Sequence, residues 1–165
     1  MVNFREKMLS FRHLCYKNGY LFAAFLIPVI LMGIAYISFG IYPFGGRSVL
    51  SLDLNAQYVF YFDYVHDVIG NGESLMYSWS RNLSGEFMGI IGYYLASPFN
   101  ILVWIFPRSM ITEGLLTMML AKFGACGVTF ALFAHKSQKL SKTTAALFAP
   151  MYALCAYMIV QTMDP

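Results

Sequence analysis

Charge is what this sequence has least of. Only 12% of its 165 residues are Asp, Glu, Lys or Arg, against roughly 25% in an ordinary soluble domain. So few polar groups cannot cover the surface of a free globule. The net charge of +3 is too small and too dispersed for a nucleic-acid footprint, so no nucleic-acid partner is expected. Cysteine is equally sparse. Cys15, Cys126 and Cys155 form an odd set with no Cys-x-x-Cys pair and no metal-ligand spacing. Cys126 and Cys155 sit in apolar runs, where a thiol packs as a small hydrophobe. What the chain does have is apolar bulk: 59% hydrophobic and 18% aromatic residues, with a mean hydropathy of +0.60. That excludes a disordered chain, which needs low hydrophobicity and high charge. The composition is that of an integral membrane protein, with the lipid bilayer as its first partner.

No charge falls between Asn18 and Gly46, and the apolar part of that run, Tyr20 to Ile41, is 22 residues long. A helix rising about 1.5 Å per residue crosses a hydrocarbon core of about 30 Å with that length. Arg5, Lys7, Arg12 and Lys17 precede it, as they would precede a secretory signal. A signal's apolar region is only about 7–15 residues long and ends at small residues, whereas this run is longer and ends in Tyr42-Pro43-Phe44. A retained anchor is expected. Gly114 to Ala134 and Thr143 to Met163 are further apolar stretches, and Phe87 to Pro107 is a fourth without charge.

Lys and Arg concentrate in cytoplasmic loops. The N-terminal segment carries four such residues, and the short stretch His135 to Lys142 carries Lys136, Lys139 and Lys142 without an acid. Both lie inside only if Phe87 to Pro107 does not cross. Ser97-Pro98-Phe99-Asn100 interrupts that segment, and proline disfavours helix both at its own position and at the one before. Tyr93, Tyr94 and Trp104 suit a headgroup layer. The expected organisation is a cytoplasmic segment (1–19), a first transmembrane helix (20–41) and a long outer loop with interfacial or re-entrant helices (42–112). A second span (113–135), a cytoplasmic loop (136–142) and a third span (143–163) follow. This is an all-α, multi-pass integral membrane protein with its N-terminus in the cytoplasm. The chain stops just after the third span, as expected of the N-terminal part of a longer protein.

The outer loop carries the chemistry. Pro43-Phe44-Gly45-Gly46 is a turn signal. A surface helix is expected from about Leu54 to Ile69, stopped by Gly70-Asn71-Gly72. Helical spacing would align Asp53, Gln57 and Tyr61, and also Asp63 with Asp67. Asp53 has two readings. It is a helix N-cap, the commoner role of such a residue, or it is a carboxylate placed at the outer interface, where a lipid-borne donor meets a water-borne acceptor. The two are compatible. Asp63, His66 and Asp67 could in principle hold a divalent metal, although a solvated helix face is the simpler reading. No other cofactor is indicated.

Lys122 lies near the middle of the second span. A cation there costs about 2.5–3.5 kcal/mol on insertion scales, so it should face a partner inside the bundle. That partner could be a lipid phosphate, a catalytic carboxylate or a structural acid. Gly124, Gly127 and Ala131 would permit close helix contact nearby.

Several segments together carry a resemblance. They are Pro43-Phe44-Gly45, Asp53-Leu54-Asn55-Ala56-Gln57-Tyr58, Ser74-Leu75-Met76-Tyr77-Ser78-Trp79-Ser80 and Tyr93-Tyr94-Leu95-Ala96-Ser97-Pro98-Phe99-Asn100, followed by Lys122-Phe123-Gly124, Thr129-Phe130-Ala131-Leu132 and Tyr152-Ala153-Leu154. From about residue 20 onward the chain resembles the N-terminal part of the YfhO-type bacterial membrane proteins. It departs from them at Ser84-Gly85, where a Gly-Gly pair would be expected. The resemblance implies a GT-C-like glycosyltransferase linked to lipoteichoic acid and related surface polymers. It further implies a polyprenyl-phosphate sugar donor and a surface-polymer acceptor at the bacterial cell membrane. It makes Asp53 the catalytic position. Gln57, Tyr58, Tyr61, Arg81 and Lys122 are the candidate substrate contacts. Two other classes remain open. One is a multi-span transporter or lipid flippase, which Lys122 and the break at Pro98 would suit. The other is a non-catalytic scaffold in which Asp53 only caps a helix.

Overall fold

The structure, a computed structural model, describes the backbone of residues 4–50, 54–79 and 85–163, with side-chain surroundings from residue 18 to 162 within those ranges. It is 75% helical. The described residues divide into two compact units. One is drawn from residues up to 33 and from 123–159, the other from 34–122 and from 160 onward.

The uncharged run of the sequence becomes the latter part of α1 (Phe4–Ser38). Its stretch Asn18–Ser38, 21 residues, is long and apolar enough to cross a bilayer. The helix stops slightly before the expected Ile41, and glycine is the reason. Gly40 takes a left-handed φ of 63°. There its N–H donates to the Ile37 carbonyl (3.0 Å) and the Ile41 N–H donates to the Tyr36 carbonyl (2.9 Å). This bond pair closes a helix C-terminus, and glycine adopts it without a Cβ penalty. The chain then doubles back, with the Tyr42 N–H donating to the Arg47 carbonyl (2.7 Å). A Cβ on Gly45 would collide with the Gly40 carbonyl, so the expected Pro-Phe-Gly-Gly turn depends on that glycine.

In the first unit α1 packs against α5 (Ile111–Lys136). Pro28 lies inside α1 and has no N–H, so the Ala24 carbonyl loses its helical donor. Gly127 of α5 sits over that carbonyl, where a Cβ would collide with the oxygen and lie 3.2 Å from Pro28 Cγ. One turn away, Gly124 faces the Phe25 ring. Ala24, Ala131, Ala134, Ala145 and Ala149 form a buried core with Tyr20, Leu21 and Phe130 packed on it. Lipid supplies no hydrophobic force between helices, so close approach at small residues is what joins them. The expected role of Gly124, Gly127 and Ala131 is borne out.

Ser141 caps α6 (Lys142–Ala153), its Oγ accepting the Thr144 N–H at 3.1 Å. The third apolar stretch is not one continuous helix. α6 stops at Ala153, α7 (Ala156–Met163) starts after it, and the two are bent by 60°. The Cys155 N–H bonds the Tyr152 carbonyl (3.2 Å), a three-residue closure that tightens the last turn. The break falls one turn after Pro150. Hydropathy registers the length of an apolar run and not its continuity.

The second unit carries the segment of chemical interest. A π-helical turn, Leu54–Tyr58, leads into α2 (Val59–Asn71), which Gly72 ends at a left-handed φ of 71°. A two-residue hairpin, β1 (Tyr77–Ser78) with β2 (Gly85–Glu86), pairs Tyr77 with Glu86 and Ser78 with Gly85. The sequence pattern had not suggested it. Next come α3 (Met88–Ile90), continued by a second π turn, Ile91–Leu95, and a 3-10 turn, Pro98–Asn100, continued by α4 (Ile101–Ile105). These two helical stretches are bent by 95° at the Ser97-Pro98 break that the sequence marked. Phe62, Phe87, Leu54, Leu95, Val103 and Leu115 are among the fully buried core residues of the unit.

Candidate functional site

The two π turns meet through their tyrosines. Tyr58 is the last residue of the first turn and Tyr94 lies in the second. Their rings touch edge to face, 4.9 Å between centroids and 86° between planes. Tyr61 lies 5.4 Å from Tyr94 and 6.3 Å from Phe87, and Tyr64 lies 4.5 Å from Phe87. The 58-61-64 spacing thus lays one aromatic edge along the helix. Edge-to-face pairs add to what ring burial alone contributes. The Tyr64 hydroxyl reaches the Ser74 carbonyl (2.9 Å) and the Tyr77 carbonyl (3.2 Å), tying the hairpin to α2. Tyr93 rests on Tyr94 at 4.6 Å and is 80% exposed. Short π segments inside helices recur at functional sites.

The candidate residues from the sequence distribute as follows. Tyr58 is buried, while Gln57, Tyr61 and Lys122 are half-buried. Lys122 is engaged with a neighbour and is not a free cation. Asp53 and Arg81 lie outside the described residues. The expected stacking of Asp53, Gln57 and Tyr61 assumed a regular helix. The structure places Gln57 in a π turn, whose i→i+5 bonding departs from the 3.6-residue period.

Asp63 and Asp67 were expected on one helix face, and they are. The structure adds their partner. Arg108 donates through Nε and Nη2 to the two oxygens of Asp63, and through Nη1 to Asp67 Oδ1. This two-pronged geometry matches the guanidinium fork to a carboxylate. Reading along the sequence missed Arg108. The usable signal was the spacing of the two acids, together with one of the few arginines in the segment. Among the described residues no three His, Cys, Asp or Glu side chains converge on a metal-sized site. His66 does not join the pair: its Nε2 is buried without a hydrogen-bond partner. Nearby in sequence to Arg108, Glu113 accepts the Tyr42 hydroxyl at 2.8 Å. That bond, reinforced by the carboxylate's charge, raises the Tyr42 pKa.

A chain that is 75% helical with nearly no strand, and whose helices Asn18–Ser38 and Arg108–Lys136 are each long and apolar enough to cross a bilayer, is an all-α membrane protein. Comparison with known families makes this specific: the family described as "Bacterial membrane protein YfhO" matches residues 23–165. The chain belongs to that family. No curated protein and no solved structure matches it.

Proposed function

We propose that this chain belongs to a membrane glycosyltransferase working on the outer face of the bacterial cell membrane. The family membership over residues 23–165 carries the reading. The donor is a polyprenyl-phosphate sugar and the acceptor a cell-surface polymer such as lipoteichoic acid. In sequence Asp53 is the residue before the π turn Leu54–Tyr58 and four positions ahead of Gln57. In the proposed reaction an acceptor hydroxyl attacks the anomeric carbon as the carbon–oxygen bond to the phosphate breaks. Asp53 takes the hydroxyl proton, and polyprenyl phosphate leaves with the bonding electrons. A carboxylate held near the acceptor suits general-base work. The leaving group needs mainly cationic stabilisation, for which Lys122 and Arg81 are the proposed sources. Half-buried Tyr61 offers a ring face to a sugar, and buried Tyr58 supports it by packing on the same Tyr94.

The two bent helix pairs favour a second reading, a transporter or flippase of lipid-linked sugars, because interrupted helices line substrate paths in transporters. Reconstitution separates the two. Full-length protein in vesicles containing polyprenyl-phosphate sugar and added lipoteichoic acid should attach sugar covalently to the polymer, read by mass. Movement of the lipid-linked sugar between leaflets without a covalent product would establish the transporter reading instead.

A further inference from the structure

Arg108 stands where two local rules disfavour a cation. It opens the short turn Arg108–Met110 that leads into the N-terminus of α5, and helix N-termini favour anions. In the proposed topology it also lies on the outer side, where Lys and Arg are depleted. Asp63 and Asp67 are unfavourable by themselves as well, since like charges four residues apart repel on a helix. Each charge is misplaced alone, and the three satisfy one another through three donor–acceptor pairs. Local rules broken together and compensated together mark a site that serves function.

We propose that Arg108 is a positioning residue for the transferase site. It fixes α2, the helix that carries Tyr61 and continues the π turn bearing Gln57 and Tyr58, against the start of α5, the helix that carries Lys122. The arginine is consumed by two carboxylates and so does not bind the donor phosphate. Its effect on the reaction passes through the placement of α2. This inference rests on the glycosyltransferase reading, and its experiment has an arm that does not.

The experiment uses the full-length protein in nanodiscs. The lipid-linked sugar fraction extracted from the same cells is titrated as donor. Arg108→Gln should lower kcat by about tenfold to a hundredfold, the range expected when a site is displaced by an ångström or less, with KM for the donor unchanged. Amide exchange along α2 should accelerate by about tenfold as the helix opens locally more often. Arg108→Lys should fall between the two, because an ammonium cannot make the fork. The charge exchange Asp63→Arg with Arg108→Asp should recover both readouts in part. Unchanged exchange and kcat in Arg108→Gln would overturn the proposal. So would a rise in KM alone, which would make Arg108 a donor contact. If Arg108→Gln fails to accumulate, the charge-exchanged protein decides: recovery supports the clamp, and no recovery overturns it. A wild type that transfers no sugar would sink the transferase reading while the exchange measurement still reports on the clamp.

Discussion

Gly127 shows how much one missing methyl group can carry. It faces the carbonyl that Pro28 leaves without a helical donor, and a Cβ there would meet backbone. Gly124 faces the Phe25 ring, a side chain that can turn aside. Gly33 has nothing within 4 Å of the added atom. The three alanine substitutions should therefore rank. Gly127→Ala should cost the most, about 1–3 kcal/mol as overpacking usually does. Gly124→Ala should cost less, and Gly33→Ala should be neutral or slightly stabilising. Thermal unfolding of the full-length protein in detergent reads the order. Equal effects at Gly127 and Gly33 would contradict the packing described. The glycines of this interface were legible as small residues with helical spacing. The orphaned carbonyl that fixes Gly127 in particular was not, because it depends on which α1 residue lies opposite.

At the scale of elements, the sequence was most informative where one physical quantity dominates. Apolar length located the stretch of α1 that is long enough to cross a bilayer and the core of α5. Proline chemistry located the bend at Ser97-Pro98, and Gly70-Asn71-Gly72 located the end of α2. It was least informative where hydrogen-bond register matters. Nothing in Leu54-Asn55-Ala56-Gln57-Tyr58 or Ile91-Gly92-Tyr93-Tyr94-Leu95 distinguishes a π turn from an α turn, since the apolar spacing is tolerable in either. The bend between α6 and α7 escaped for a related reason: every residue around Leu154-Cys155 is apolar, so hydropathy passes through it unchanged. Within the candidate site, Asp63 with Asp67 was legible as a pair of helix neighbours, and Tyr58 and Tyr61 only as separate candidate contacts. Their partners Arg108 and Tyr94 come from separate elements, and their contacts are set by folding.

For the whole molecule, the distribution of Lys and Arg leads to a topology that labelling can test. In full-length protein with Cys15, Cys126 and Cys155 replaced by Ser, Gln138→Cys should resist a membrane-impermeant maleimide in intact cells and react after permeabilisation. Glu73→Cys, in the segment proposed to lie outside, should react in intact cells. The reverse pattern would invert the arrangement and remove Asp53 from the face where a surface polymer is built. The proposed function needs that face, because a lipid-linked donor and an extracellular acceptor meet only there.

The most direct measurement is polymer glycosylation in cells carrying the full-length protein, wild type against Asp53→Asn, with the amount of protein in the membrane quantified. The substitution keeps the size and a capping acceptor of the side chain and removes its basicity, so a helix cap would survive it and a general base would not. Loss of the sugar at an unchanged protein level is the result this account predicts. Full glycosylation at an unchanged protein level would contradict it, leaving Asp53 as a cap and moving the catalytic centre elsewhere.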